Sequence, residues 1–337
     1  MTKISILSPV YNVKDFIVRC LESVAAQTYS GPLECIIVDD CGTDGSIAYA
    51  EAFIKHYIGP IDFRIVHHEH NRGLAAARNT ALDAATGDFV FHLDSDDWLE
   101  PKAIELLVKK QQEMDADIVS GSAINHENKR KLLWKEPDYS SPLEMARKTL
   151  DMTLDHVIWR RLIRKSLYTD NGIRAVEGVN IGEDHHTLPR LAYYAKKIAR
   201  IDDVVYNYNC MNPTSYMGTK SASFNMKRYK SDLASICILQ EFFADKDQES
   251  CDFLNGLKDR FFLSRKFQAC SFKDREAYKQ VVTDGCLPDT YLKDYLHVRL
   301  AYCKTVAYII LHRYILRQKT NTPPKSVANT VKIIDSK

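Results

Sequence analysis

Three carboxylates crowd into four positions in the run HLDSDDW, residues 92–98. Asp94 and Asp96 are two apart, so in extended chain they point to the same side. Like charges on one side repel, and one carboxyl must hold its proton unless something compensates. A hard divalent cation meets that need. Mg²⁺ takes one or two carboxylates and fills its other positions with phosphate oxygens and water. The spacing therefore points to metal-assisted handling of a diphosphate, with a solvated acidic turn as the plain alternative. Asp97 would cap or order the turn into the next helix. A second acidic pair, Asp39 and Asp40, closes LECIIVDD. A carboxylate there can accept hydrogen bonds from a base N–H or from ribose hydroxyls.

These residues need strands to hold them. ISILSP (4–9), LECIIVDD (33–40), FRIVHH (63–68), DFVFHL (88–93) and ADIVSG (116–121) read as strands. Helical patterns fill 14–28, 46–58, 74–86 and 102–114. In the first, Phe16, Ile17, Cys20, Leu21, Val24 and Ala25 share one face. Gly87 stops the third, and Pro101 suits the first position of the fourth. Strand and helix in alternation predict an α/β fold, a Rossmann-like mostly parallel sheet with helices on both faces. Ligands in such sheets bind beyond the carboxyl ends of the strands, where both acidic clusters fall. Residues 122–215 are mixed, with an apolar helix expected around Trp159. From about 222 the chain reads as mainly helical, with a loose tail from about 320.

Composition excludes several classes. Lys and Arg total 46 against 44 Asp and Glu, so no nucleic-acid partner is indicated. The nine cysteines include no C-x-x-C pair, which argues for a reducing compartment and no structural zinc. His67, His68 and His70 match no zinc spacing and read as loop residues. The chain opens straight into a strand, with no leader and no apolar run near the ~20 residues that span a bilayer, so a cytoplasmic protein is expected. Neither G-x-G-x-x-G nor a P-loop occurs, so side chains and a metal must hold any nucleotide.

SPVYN (8–12), VDD (38–40), NRGLAAARN (71–79), GDFVFHLDSDDW (87–98) and GED (182–184) occur in this order. Together they resemble an inverting family 2 glycosyltransferase of the GT-A fold, of the bacterial surface-polysaccharide type, over residues 1–215. The resemblance implies a nucleotide-sugar-binding half at 1–121, an acceptor-binding half at 122–215 and a helical extension at 216–337. It implies transfer of a sugar from a nucleoside diphosphate donor, UDP-linked, to a hydroxyl of a glycan or lipid-linked glycan. Pro9 and Tyr11 would line the nucleotide pocket, and Asp39 would accept from the base. Asp40 would hold the ribose or order its loop. Asn71, Arg72 and Gly73 would run along the nucleotide, Gly73 permitting close approach. Arg78 would pair with Asp39 or a phosphate, Asp94 would touch the ribose, and Asp96 would ligate Mn²⁺ or Mg²⁺. Asp184 would be the general base, with Glu183 beside it. A nucleotidyltransferase and a non-catalytic nucleotide-sugar or glycan-binding protein are the rival readings.

The acceptor side carries weaker signals. Trp159 would stack on a sugar or sit in the core. His185 and His186 form a surface or helix-start pair, or they reach a pyrophosphate or acceptor, or His186 is a further metal ligand. YNYN (206–209) and Ser215 lie where such enzymes place a tyrosine strand and a serine. EDHHTLP departs from the family pattern at Thr187 and Pro189, and VIWRRLI carries Arg160 where Asn is common. The basic, aromatic stretch 299–319 would suit peripheral contact with the inner face of a membrane.

Overall fold

The structure, a computed structural model, describes residues 1–127, 130–212, 225–298 and 301. The elements of its first unit run β1 (Ile4–Val10), α1 (Ile17–Ala25), β2 (Leu33–Asp39), α2 (Ser46–His56), β3 (Asp62–His67), α3 (Leu74–Ala84), β4 (Phe89–His92) and β5 (Trp98–Leu99). Then come α4 (Ala103–Met114), β6 (Ile118–Glu127), β7 (Arg130–Trp134), α5 (Pro142–Leu150), β8 (Arg161–Arg164), α6 (Lys165–Thr169), α7 (Glu183–Tyr194) and β9 (Ile198–Asn209).

Nine strands form one sheet in the order β3-β2-β1-β4-β8-β6-β9-β5, with β7 beside β6. The four strands β3, β2, β1 and β4 are parallel, in a register that sets Val10 opposite Asp39 and Leu7 opposite His92. Beyond them the sheet is mixed: β8 runs antiparallel to both β4 and β6, while β6 and β9 are parallel. The parallel expectation thus describes the first half of the sheet.

All seven residues of β1 are buried, as a strand covered on both faces requires. Ile4, Ile6 and Val10 pack with Ile17, Cys20, Leu21 and Val24 of α1. Leu7 turns the other way and packs with Ala77 and Ala81 of α3 and Leu188 and Leu191 of α7. The site therefore rests on two apolar layers of one unit.

Three local expectations need correction. The helix expected from residue 14 starts at Ile17, because the backbone N–H groups of Val13 and Lys14 are drawn to Ser46 Oγ and Asp44 Oδ2, each at 2.8 Å. Gly87 does not stop α3, which ends three residues earlier. A Cβ at Gly87 would meet Ser5 Oγ at 2.7 Å and the Lys3 carbonyl at 2.9 Å, so glycine lets the start of β4 lie against β1. The segment around Trp159 is no helix: Arg160 adopts a left-handed backbone, φ 60°, and the chain then enters β8.

The described residues divide into two compact units, one within Met1–Thr219 and one within Lys220–Thr330. The second contains α8 (Met226–Phe243), α9 (Gln248–Ser271) and α10 (Arg275–Asp284). Each begins on a short polar cap whose side chain accepts a backbone N–H: Asn225, Asp247 and Asp274. Tyr229, Phe262, Cys270, Tyr278 and Val281 fill its core. Among the described residues no helix is long and apolar enough to cross a membrane. Ser215 and, apart from residue 301, the stretch 299–319 lie outside the described residues.

Candidate active site

A cavity of about 590 Å³ opens at the carboxyl ends of the parallel strands. Pro9 and Val10 of β1, Tyr11, Asp40, Asn71, Arg78 and the loop Asp94–Ser95–Asp96 line one part of it. Trp134, Trp159, Tyr208, Gly182, Glu183, Asp184 and Asn212 line the rest. Motifs scattered over two hundred residues thus meet in one place.

The three crowded carboxylates separate by direction. Asp97 points inward and is fully buried. It accepts from Tyr206 Oη and from the Asn209 backbone N–H, both at 2.7 Å, so it ties β9 to the acidic loop. It caps no helix, contrary to expectation: its acceptors are consumed by β9. Burial, then the charges of Asp96 and Asp94, push its carboxyl well above the usual range. Asp94 faces Arg78 across 2.9 Å. Asp96 faces the cavity and accepts from Asn212 Nδ2 at 2.8 Å. Burial raises its pKa; the Asn212 bond opposes that and the Asp94 charge adds to it. A cation would reverse this imbalance. Among the described residues no group of three His, Cys, Asp or Glu side chains could hold a metal alone. The donor set fits Mg²⁺ or Mn²⁺, which need one carboxylate here and take phosphate oxygens for the rest.

Arg78 is buried at the junction. Its Nε donates to Glu183 Oε1 at 3.0 Å, and its Nη2 lies 2.9 Å from Asp94 and 4.0 Å from Asp184. It pairs with neither Asp39 nor an open phosphate position, because three carboxylates already surround it. Burial alone would lower its pKa; Asp94, Asp184 and Glu183 outweigh that and raise it. Asp184 opens α7 and accepts from the Ile158 N–H at 3.1 Å. Burial, then the neighbouring Glu183 charge, raise its pKa far above the ordinary aspartate range, with Arg78 opposing.

On the other flank, Asp40 orders the loop. It accepts from the N–H groups of Arg72 and Gly73 at 2.7 and 2.8 Å, and His68 Nδ1 lies 2.8 Å away. Its oxygens are thereby occupied, which leaves the loop-ordering alternative over the ribose. Gly73 has φ 88°, and a Cβ there would meet Asn180 Nδ2 at 2.3 Å. Its close approach is to Asn180, whose Oδ1 accepts from Ala75 N–H at 3.0 Å, and not to the cavity. Asn71 lines the cavity and donates to the Asp40 carbonyl at 3.1 Å. Asp39 ends β2 beside it, accepting from Cys41 N–H and lying 3.0 Å from His67 Nδ1. Tyr11 is half-exposed at the cavity wall.

On the acceptor side, Trp159 is buried and stacks on Tyr206 and Tyr208 at 4.5 and 5.3 Å between centroids. Arg160 and Arg161 are fully buried and share Glu136, at 2.6 and 2.8 Å, and Asp155. Arg160 also donates to the Trp134 carbonyl at 2.9 Å, so the unusual arginine braces the aromatic wall. His186 is buried, not on the surface: its Nε2 accepts from Val176 N–H at 3.1 Å, away from the cavity. His185 is buried against His156, 4.9 Å between rings. Thr187 donates to the Glu183 carbonyl at 2.7 Å inside α7, and Pro189 sits within that helix without ending it. Tyr208 belongs to the YNYN strand singled out from sequence, where Tyr206 and Tyr208 alternate along one strand. Trp134, Asn180 and Asn212 carried no signal in the sequence.

Residues 5–171 match the family model described as Glycosyl transferase family 2. Glycosyltransferase GlyG of Streptococcus pneumoniae is 28% identical over 293 residues, covering 82% of this chain and 93% of GlyG. Glycosyltransferase GlyA of the same organism is 31% identical over 219 residues, 61% of this chain; the match spans 30% of GlyA. The crystal structure of S. aureus TarS 1-349 in complex with UDP-GlcNAc gives a TM-score of 0.59 at 19% identity, over 90% of this chain and 92% of that one. The chain belongs to glycosyl transferase family 2, and its first unit has the GT-A fold.

Proposed function

We propose that the protein transfers a sugar, with inversion, from a UDP-linked donor to a hydroxyl of a glycan or lipid-linked glycan, with the help of a divalent metal. One observation carries this reading. Among its described lining residues the cavity has five carboxylates, Asp40, Asp94, Asp96, Glu183 and Asp184, and a single arginine that is already paired. A cation would offset that charge as a diphosphate enters. The TarS complex supports a UDP-linked donor by likeness of fold.

The residues divide the work. Asp39 and Tyr11 receive the base, with Pro9 in the floor, and Asp94 receives the ribose. Asp96 is the protein ligand for Mn²⁺ or Mg²⁺. When bound, the metal neutralises charge on the departing diphosphate. Across the cavity the acceptor hydroxyl attacks the anomeric carbon opposite the leaving group. Its oxygen bonds to that carbon, the bond to the diphosphate oxygen breaks, and the proton passes to the Asp184 carboxylate. A raised pKa suits a base working near neutral pH. Trp134, Trp159 and Tyr208 give the acceptor sugar an apolar wall.

Calorimetry with UDP tests the donor half. Asp96→Ala is expected to weaken UDP binding at least about tenfold in Mn²⁺, as the loss of a metal ligand or its close support does. Without metal, variant and wild type should bind alike. Equal binding in Mn²⁺ would remove Asp96 from the metal site.

A further inference from the structure

A second, much smaller cavity of about 10 Å³ touches Asp184. Leu82, Ile158 and Ala175 make part of its wall; Arg78, His92 and Tyr168 approach it too. Three polar atoms of these residues are buried without a hydrogen-bond partner: Arg78 Nη1, His92 Nδ1 and Asp184 Oδ1. Buried polar groups are almost always satisfied. One water needs about 10–15 Å³ and two to four polar partners. Space and partners agree.

We propose that a single buried water bridges Asp184, Arg78 and His92, and that His92 and Tyr168 are positioning residues for the base. The inference rests on reading Asp184 as that base. Tyr168 Oη–H donates to His92 Nε2, 3.0 Å away, so His92 carries its proton on Nδ1. The water accepts from Arg78 Nη1–H and His92 Nδ1–H and donates to Asp184 Oδ1. Burial keeps His92 neutral, as this tautomer requires. Both oxygens of Asp184 are thereby fixed, Oδ2 by the Ile158 N–H and Oδ1 by the water. The carboxylate cannot rotate, and Oδ2 keeps a lone pair for the acceptor hydroxyl.

The water also favours the ionised form of Asp184, because it donates to the carboxylate. The other groups facing Asp184 are Arg78 from α3, Glu183 beside it, Asp94 beyond β4 and Tyr168 from α6. His92→Leu removes one anchor of the water and leaves all of these in place. The acid limb of kcat is expected to move up by about one pH unit, with kcat below the limb down about tenfold. Donor KM should stay near wild type. His92→Asn, which restores a polar atom near the Nδ1 position, should bring the limb back. An unshifted limb in folded His92→Leu would overturn the proposal. A high-resolution crystal structure of the wild-type protein gives a second reading that needs no variant. Density for one water within hydrogen-bond distance of Asp184 Oδ1, His92 Nδ1 and Arg78 Nη1 supports the bridge, and its lack there refutes it. Full turnover by Asp184→Asn would instead overturn the base, whatever the density shows.

Discussion

Asp184→Asn is expected to slow sugar transfer by about a thousandfold, within the range a positioned base contributes, while leaving UDP binding intact. The same change should make the protein more stable. Asp184 is buried beside Glu183, and both burial and that charge raise its pKa. Between the unfolded value near 4 and the raised folded value, the folded state holds a proton that the unfolded chain has released. Stability therefore falls as pH rises through that window. Asparagine keeps the acceptor for the Ile158 N–H and carries no charge. At pH 4, the foot of that window, the variant and wild type should unfold nearly alike. At pH 8 the variant should be more stable by at least about 1.4 kcal/mol, the equivalent of one pKa unit. Urea denaturation at the two pH values, beside a transfer assay, measures both effects. A variant that is no more stable at pH 8 would mean that the wild-type carboxylate ionises without strain. For wild-type transfer the same shift sets the acid limb well above pH 4, with activity lost as pH falls through it.

Arg78→Met is expected to cost about 4 kcal/mol at pH 7. Removing one partner of a buried ion pair typically costs 3–5 kcal/mol, because the remaining charge stays buried. Here three carboxylates depend on one guanidinium, whose Nε serves Glu183 and whose Nη2 serves Asp94. The loss should shrink as pH falls and those groups take up protons. Arg78→Lys keeps the charge but not the fork, so it cannot hold both partners in place. It should recover part of the stability and little of the transfer rate. Denaturant unfolding reads the first effect, and a Met variant within 1 kcal/mol of wild type would show the carboxylates to be supported elsewhere.

Much of the fold was legible because burial on both faces leaves a plain mark. The apolar middle of LECIIVDD and the alternation with helices locate the parallel strands and put Asp39, Asp94 and Asp96 at their carboxyl ends. The mixed half was harder to read. Leu162 and Ile163 follow two buried arginines, Arg160 and Arg161, whose acids, Glu136 and Asp155, are many residues away or across a turn, and nothing local announces a strand. Side-chain partners were the least visible. Asp97 looked like a cap until β9 was seen to use both its oxygens, and Arg78 looked like a phosphate ligand until Glu183 closed on it from α7. Such pairings join residues about a hundred positions apart and depend on the completed fold.

Inversion requires the acceptor hydroxyl to attack opposite the leaving diphosphate, under the pull of Asp184. Proton NMR of the product after transfer from an α-linked UDP-sugar, chosen by thermal-shift screening in Mn²⁺, reads that geometry directly. A β-linked product is expected. An α-linked product would contradict inversion, since retention leaves a single base on the acceptor side without its proposed role.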